Sequence, residues 1–227
     1  MKKVFALMMA SVIALSTPMA EVHAESNAYY DTKNDLYIPK GGEFKCEGFV
    51  YRVTKPITKK RCIGEVEITG FDADYDWGWN KGGYYHVSDL WPDEYYHIVG
   101  IADNAFKDNL NIRKFYTPRS LKYVGESAFE GCSNLKIFGS GSEKLSKIKS
   151  RAFYNCTSLK EFILYENALK HVGKDAFRND KHKIKIQTYN MSTKHEARVK
   201  KLFKKAGAKK TYFKMDYYKK VKRDPCH

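Results

Sequence analysis

The sequence predicts a β-rich α+β solenoid, because a unit of about 24 residues recurs through its middle and the same columns within each unit are apolar every time. One coil of that length cannot bury its own apolar side, so stacked neighbours must do it. About four to five coils are expected over 98–189. A β-hairpin before them and a helix plus strand after them are expected to close the ends.

The repeat is marked by Ala-Phe at Ala105-Phe106, Ala128-Phe129, Ala152-Phe153 and Ala176-Phe177, with the phenylalanines 23, 24 and 24 residues apart. Eight residues before each Phe stands Ile98, Leu121, Leu145 or Leu169, and five before it Ile101, Val124, Ile148 or Val172. Six after it come Ile112, Leu135 and Leu159, then Lys183 in the last copy, where Ile184 can substitute; nine after it come Phe115, Phe138, Phe162 and Ile186. Three after it, Asn109, Cys132, Cys156 and Asp180 sit where the chain must turn. Small polar groups or thiols can bond turn backbone there. Cys behaves as a small buried hydrophobe, so Cys132 and Cys156 are expected to be adjacent, reduced core thiols and not a catalytic pair. Their parallel stacking disfavours a disulfide torsion.

These stretches, IVGIADNAFKDNLNIRKFYTP, LKYVGESAFEGCSNLKIF, LSKIKSRAFYNCTSLKEFIL and LKHVGKDAFRND, resemble the BspA-type, or Treponema-type, leucine-rich repeat. The middle two keep the AFxxCxxL core; the outer two lose the Cys, and the last also its Leu. The resemblance implies a right-handed leucine-rich-repeat solenoid of short strands and tight turns. It also implies a bacterial cell-surface or secreted protein that binds host or neighbouring-cell partners, with no family-wide catalytic residues.

The segment 25–97 is read as an N-terminal β cap and loop. Residues 43–70 alternate apolar and polar positions around turn signals, giving a hairpin and a strand over 65–69. Asp72, Asp74 and Asp76 have the spacing that opens a calcium loop, but Trp77 and Gly83 stand where its glycine and bidentate Glu belong, so a solvated acidic loop is expected. Trp77, Trp79, Tyr84, Tyr85, Trp91, Tyr95 and Tyr96 either cover the open end of the core or form a stacking platform.

The segment 190–227 is read as a basic cap. Thr193 is expected as N-cap with Glu196 completing a capping box, and Val199, Leu202, Phe203 and Ala206 form one apolar stripe that ends at Gly207. Residues 211–215 can return as an edge strand. From Thr193 to Arg223 there are 13 Lys/Arg against Glu196 and Asp216, a local +11 within a chain of net charge +15. Lys200, Lys201, Lys204, Lys205, Lys209 and Lys210 are therefore candidates for holding an anionic polysaccharide or wall polymer.

Residues 1–24 read as a signal peptide: Lys2 and Lys3, an apolar core over 4–16, and Val22-His23-Ala24 as a cleavage site. Secretion or surface location after cleavage near Ala24 follows. No later run is apolar enough to span a membrane as a helix. Export disfavours nucleic acid as a partner despite the basic charge. Among five cysteines, Cys46 and Cys62 are a candidate disulfide across the hairpin. Carboxylate pairs, metal-ligand clusters and nucleophile–base sets are missing at recognisable spacing, so neither an enzyme nor a metal or other cofactor is expected.

If Leu135 and Phe138 point inward, the residues eight and ten after each Phe face outward on the sheet. Lys114, Tyr116, Ile137, Glu161, Ile163, Lys185 and Gln187 are thereby candidates for contacting a protein or cell-surface ligand, with Gly139 on the same face. An ordinary solvated sheet is the other reading.

Overall fold

A computed structural model describes residues 38–58, 63–78, 80, 82–87, 96–165, 169–180, 182–189, 191–208 and 211–215, the side chains of 213–215 excepted. The expected signal peptide, Cys62, Lys209 and Lys210 lie outside the described residues, as do Trp79, Trp91 and Tyr95.

The chain begins antiparallel and turns parallel. β1 (Glu43–Cys46) and β2 (Phe49–Lys55) form a hairpin whose two-residue turn, Glu47 and Gly48, has φ of 48° and 81°. Such double positive φ matches strand twist, which is why a glycine follows Glu47. β3 (Gly64–Phe71) pairs antiparallel with β2 on one side and parallel with β5 (Tyr96–Ile101) on the other. One sheet then continues through three two-residue strands, β7 (Tyr123–Val124), β9 (Lys147–Ile148) and β11 (His171–Val172). The opposite sheet is built in parallel from β4 (Tyr84–His86), β6 (Lys114–Thr117), β8 (Ile137–Ser140), β10 (Glu161–Tyr165), β12 (Ile184–Tyr189) and β13 (Thr211–Met215). Alternation between sheets makes each coil, and stacking the coils makes the six-stranded sheet parallel throughout and the seven-stranded sheet parallel from β3 onward.

Two phenylalanine columns fill the space between. Phe106, Phe129, Phe153, Phe177 and Phe203 stack face to face at centroid separations of 5.2, 5.3, 5.4 and 4.4 Å. Phe115, Phe138 and Phe162 form the second column, meeting the first edge-on at 5.1, 4.9 and 5.5 Å. Stacked and edge-to-face contacts each add to the burial of large rings, so every coil is held to both neighbours.

The turns are also bonded coil to coil. The amides of Phe106, Phe129 and Phe153 donate to the carbonyls of Ala128, Ala152 and Ala176, all at 2.8 Å. Two residues before and two after each Phe, the backbone is left-handed: Asn104 and Asp108, Ser127 and Gly131, Arg151 and Asn155, Asp175 and Asn179 have φ from 53° to 75°. Those positions bend the chain so that both amides and carbonyls point along the stack.

Helix α1 (Thr193–Lys205) takes the place of a further coil. Phe203 enters the ring column, and Ala206 accepts the amide of Phe177 at 2.9 Å, as Ala176 accepts that of Phe153. The N-cap is Ser192 and not Thr193, one residue earlier than the sequence suggested. The Ser192 hydroxyl lies 2.7 Å from Nδ1 of His195, and Glu196 meets the cap only through its backbone amide, so the expected capping box does not form. Oε1 of Glu196 is buried without a hydrogen-bond partner. Gly207, at φ 95°, ends the helix, and β13 pairs with β12 at the sheet edge.

Candidate binding face

The register of the six-stranded sheet brings the outward positions into rows. Tyr84, Lys114, Ile137, Glu161, Lys185 and Tyr212 are successive partners in one row, and His86, Tyr116, Gly139, Ile163 and Gln187 in the next. All seven sequence candidates on this sheet are therefore brought together, each half-buried. Phe115, Phe138, Phe162 and Ile186, between them in sequence, are fully buried.

Gly139 decides the shape of the second row. A side chain there would overlap the ring of Tyr116 and touch Cδ1 of Ile163 at 3.6 Å, so the tyrosine lies across the bare backbone of β8 toward β10. Aromatic cover of a strand glycine restores packing that glycine cannot supply. His86 flanks the same ring at a centroid distance of 6.1 Å. Lys185 binds Glu161 at 2.8 Å and the Gln187 side-chain oxygen at 3.1 Å, and Gln187 donates to the hydroxyl of Tyr189. Tyr189 stacks on Tyr165 at 4.5 Å. The face thus has an aromatic-aliphatic strip from Tyr116 to Ile163 beside a tied polar cluster.

The turn thiols belong to the same core. Cys132 donates to the carbonyl of Phe106 at 3.0 Å and Cys156 to that of Phe129 at 3.1 Å, so each thiol bonds the preceding coil. Both are fully buried and free, and burial pushes the Cys132 thiol up to about 12 and Cys156 well above its ordinary value. A group so reluctant to ionise is a poor nucleophile. Asp180 continues the column, 1% exposed, with neither carboxylate oxygen hydrogen-bonded. Burial raises it from 3.8 to about 9 against the opposing influence of the nearby Cys156 amide, which donates to the carbonyl of Phe153. Asn109, at the first position, turns its side-chain oxygen to the amide of Asn111 at 2.9 Å.

The remaining candidates separate. Cys46 is a free, half-buried thiol raised to about 11 by burial. Lys45 bridges Asp72 at 2.7 Å and Asp74 at 2.6 Å, so its ammonium occupies the space between the two carboxylates. Trp77 packs on Phe49, Phe71 and Tyr85, closing the core as one reading of the aromatic loop expected. Lys200, Lys201, Lys204 and Lys205 are exposed on α1.

The BspA type leucine rich repeat region, as a family, matches residues 97–217 in six copies. The chain belongs to this family. No curated protein matches it. Among solved structures, it is similar to a leucine-rich repeat protein from Bacteroides capillosus ATCC 29799, with 18% identity and a TM-score of 0.42 over 76% of this chain and 98% of that one. It is also similar to the pneumococcal vaccine antigen PcpA (22%, TM-score 0.48, 67% of this chain and 43% of that one) and to the T. pallidum protein TpLRR (18%, 0.38, 64% and 71%).

In this BspA-type chain the family match runs past β12, into the segment that holds α1 and β13. Phe203 follows Phe177 at a wider spacing than the 23 or 24 residues between the earlier repeat phenylalanines, so the period alone does not point to it. Among the described residues no helix is long and apolar enough to cross a membrane, and no group of three His, Cys, Asp or Glu side chains is placed to hold a metal ion.

Proposed function

We propose that this chain is a secreted or surface-associated binding protein, adhesin-like and non-catalytic, that engages a protein or cell-surface ligand through the outer face of the six-stranded sheet. The observation that carries this reading is Tyr116 lying over Gly139 toward Ile163, with Ile137 in the adjoining row. A half-exposed aromatic anchor with aliphatic neighbours and charges at the margin has the composition of a protein-binding hot spot. The test is capture of a partner from bacterial or host cell surfaces by the purified protein, repeated with Tyr116→Ala and Ile163→Asp. Capture lost in both variants, with the fold retained, supports the reading; undiminished capture sinks it.

The exposure of Lys200, Lys201, Lys204 and Lys205 favours a second reading, retention by an anionic wall or host polymer through the C-terminal segment. Unchanged retention on an anionic column at low salt after all four are reversed to Glu would remove it.

A further inference from the structure

One edge of the solenoid, where each turn enters the six-stranded sheet, carries a basic ladder. The amide of Lys136 donates to the carbonyl of Arg113 at 2.8 Å, and that of Lys160 to the carbonyl of Lys136 at 2.9 Å, so the three residues occupy one position on consecutive coils. All three are exposed. In the next coil Ile184 turns into the core and Lys183 is exposed instead, its ammonium 4.7 Å from the Tyr212 ring. Hydrogen-bonded strands lie about 4.8 Å apart, so successive cations are offered at about that interval along the solenoid axis.

The ladder is uncompensated. In the equivalent windows 109–114, 132–137, 156–161 and 180–185 the carboxylates are Glu161, which is bound to Lys185, and Asp180, which is buried in the core. Among the described residues none of Arg113, Lys136, Lys160 and Lys183 pairs with a carboxylate. On the edge where the chain turns around each repeat Phe, the reverse holds. There Arg151 grips Glu130 through two bonds of 2.9 and 2.6 Å, holding that carboxyl down at about 2, and Lys149 meets Asp103 at 2.8 Å. Neutral hydrogen-bonding side chains, Asn111, Asn134 and Ser158, precede the ladder on its own edge.

We infer that this edge binds a linear anionic polysaccharide running along the solenoid axis, one acidic substituent to a coil, with the Asn and Ser side chains meeting sugar hydroxyls. The interval decides against an acidic peptide: an extended chain presents same-face side chains about 6.8 Å apart, which drifts out of register within two coils. Proteins that hold single-stranded nucleic acid stack its bases on aromatic side chains along the path, and beside this ladder Tyr84 and Tyr212 are exposed on the first and last strands of the sheet, with no exposed aromatic on the strands between at that row. The inference is independent of the sheet-face reading and places the polyanion site away from α1.

The test uses the purified protein and heparin-derived oligosaccharides of increasing length, titrated at low salt. Arg113→Glu with Lys136→Glu and Lys160→Glu is compared with Lys200→Glu, Lys201→Glu and Lys204→Glu, which change net charge equally. The ladder variant is expected to weaken binding by about tenfold or more and the helix variant much less, since only local field differs. Affinity is expected to rise with oligosaccharide length until the ladder is spanned and then level off. The Arg113→Gln, Lys136→Gln, Lys160→Gln variant repeats the comparison should the reversed one unfold, and Tyr116→Ala is expected to bind the oligosaccharide normally. Equal weakening by the two reversed sets, greater weakening by the helix set, or tighter binding of charge-matched poly-glutamate or single-stranded oligonucleotide would each overturn the assignment.

Discussion

The two sheets share one core and one repeat, yet their outer faces are spent differently. On the seven-stranded sheet Tyr123 covers Gly100 much as Tyr116 covers Gly139 on the other. There the resemblance stops. The hydroxyl of Tyr123 donates to Glu67 at 2.8 Å, Glu67 also meets Arg52 at 3.4 Å, and Glu65 is held by Lys122 at 2.7 Å and Lys55 at 3.0 Å. Burial pushes Glu65 up, but its two lysines outweigh that and lower it. Burial and then the Glu67 bond push the Tyr123 phenol up. Tyr116, by contrast, makes no hydroxyl bond among the described residues. A face that satisfies itself contributes to stability; one that leaves aromatic area unclaimed is available to a partner.

A change in the shared core should break this contrast by removing both faces together. Phe153→Ala deletes a ring stacked on two neighbours and edge-on to two more, and is expected to cost about 3–5 kcal/mol in urea denaturation. A loss below about 1 kcal/mol would mean that the ring columns do not hold the coils. Asp180→Cys should act on both faces in the opposite direction. It replaces a buried carboxyl lacking partners with the residue its column favours, for an expected gain of about 1–3 kcal/mol.

Its pH dependence has a definite sign. Folded Asp180 keeps its proton up to about 9, whereas the unfolded chain loses it near 3.8, so the folded state binds the extra proton between these values. Stability from this group is therefore highest in acid and falls as pH climbs through that window. Melting of the parent and Asp180→Cys proteins should diverge increasingly from pH 4 toward 9, and parallel melting curves would contradict the buried, unpaired carboxyl.

Paired substitutions sharpen the contrast. Gly100→Ala must push aside a tyrosine tied to Glu67, and should cost about 1–3 kcal/mol. Gly139→Ala displaces an untied ring that can swing into solvent, so it should cost less stability and instead abolish partner capture. Equal melting shifts in the two variants would erase the distinction. The smallest effects come from the side chains alone. Glu67→Gln should lose about 1 kcal/mol, and Tyr116→Ala, which removes the cover over Gly139 but no hydroxyl bond, should lose no more than about that.

Much of the fold was legible because it is written in columns. The apolar positions, the turn thiols and the strand from Phe to the outward row follow from spacing, and the register aligns Lys114, Ile137, Glu161 and Lys185 in one row as that spacing implies. The second sheet was less legible, since β7, β9 and β11 are two residues each and show only one apolar member apiece. Six of the eight left-handed positions are Asn, Asp or Gly, the residues that enter that region most readily, but Ser127 and Arg151 carry no such signal. At the helix start Ser192 and Thr193 are equally able caps, and packing of Val199 and Phe203 chooses between them. The basic ladder lies one residue before the outward row, a position whose exposure only the folded turn reveals.

Each coil presents the same two couplings, an alanine carbonyl toward the coil before it and a phenylalanine amide toward the coil after it, and Ala206 shows that even a helix can supply one of them. The joint is therefore indifferent to what lies on either side. Gain or loss of one whole unit leaves every remaining coupling satisfied, so the length of the molecule, and with it the number of rungs on its edge and rows on its face, can change in whole steps without redesign of the interior.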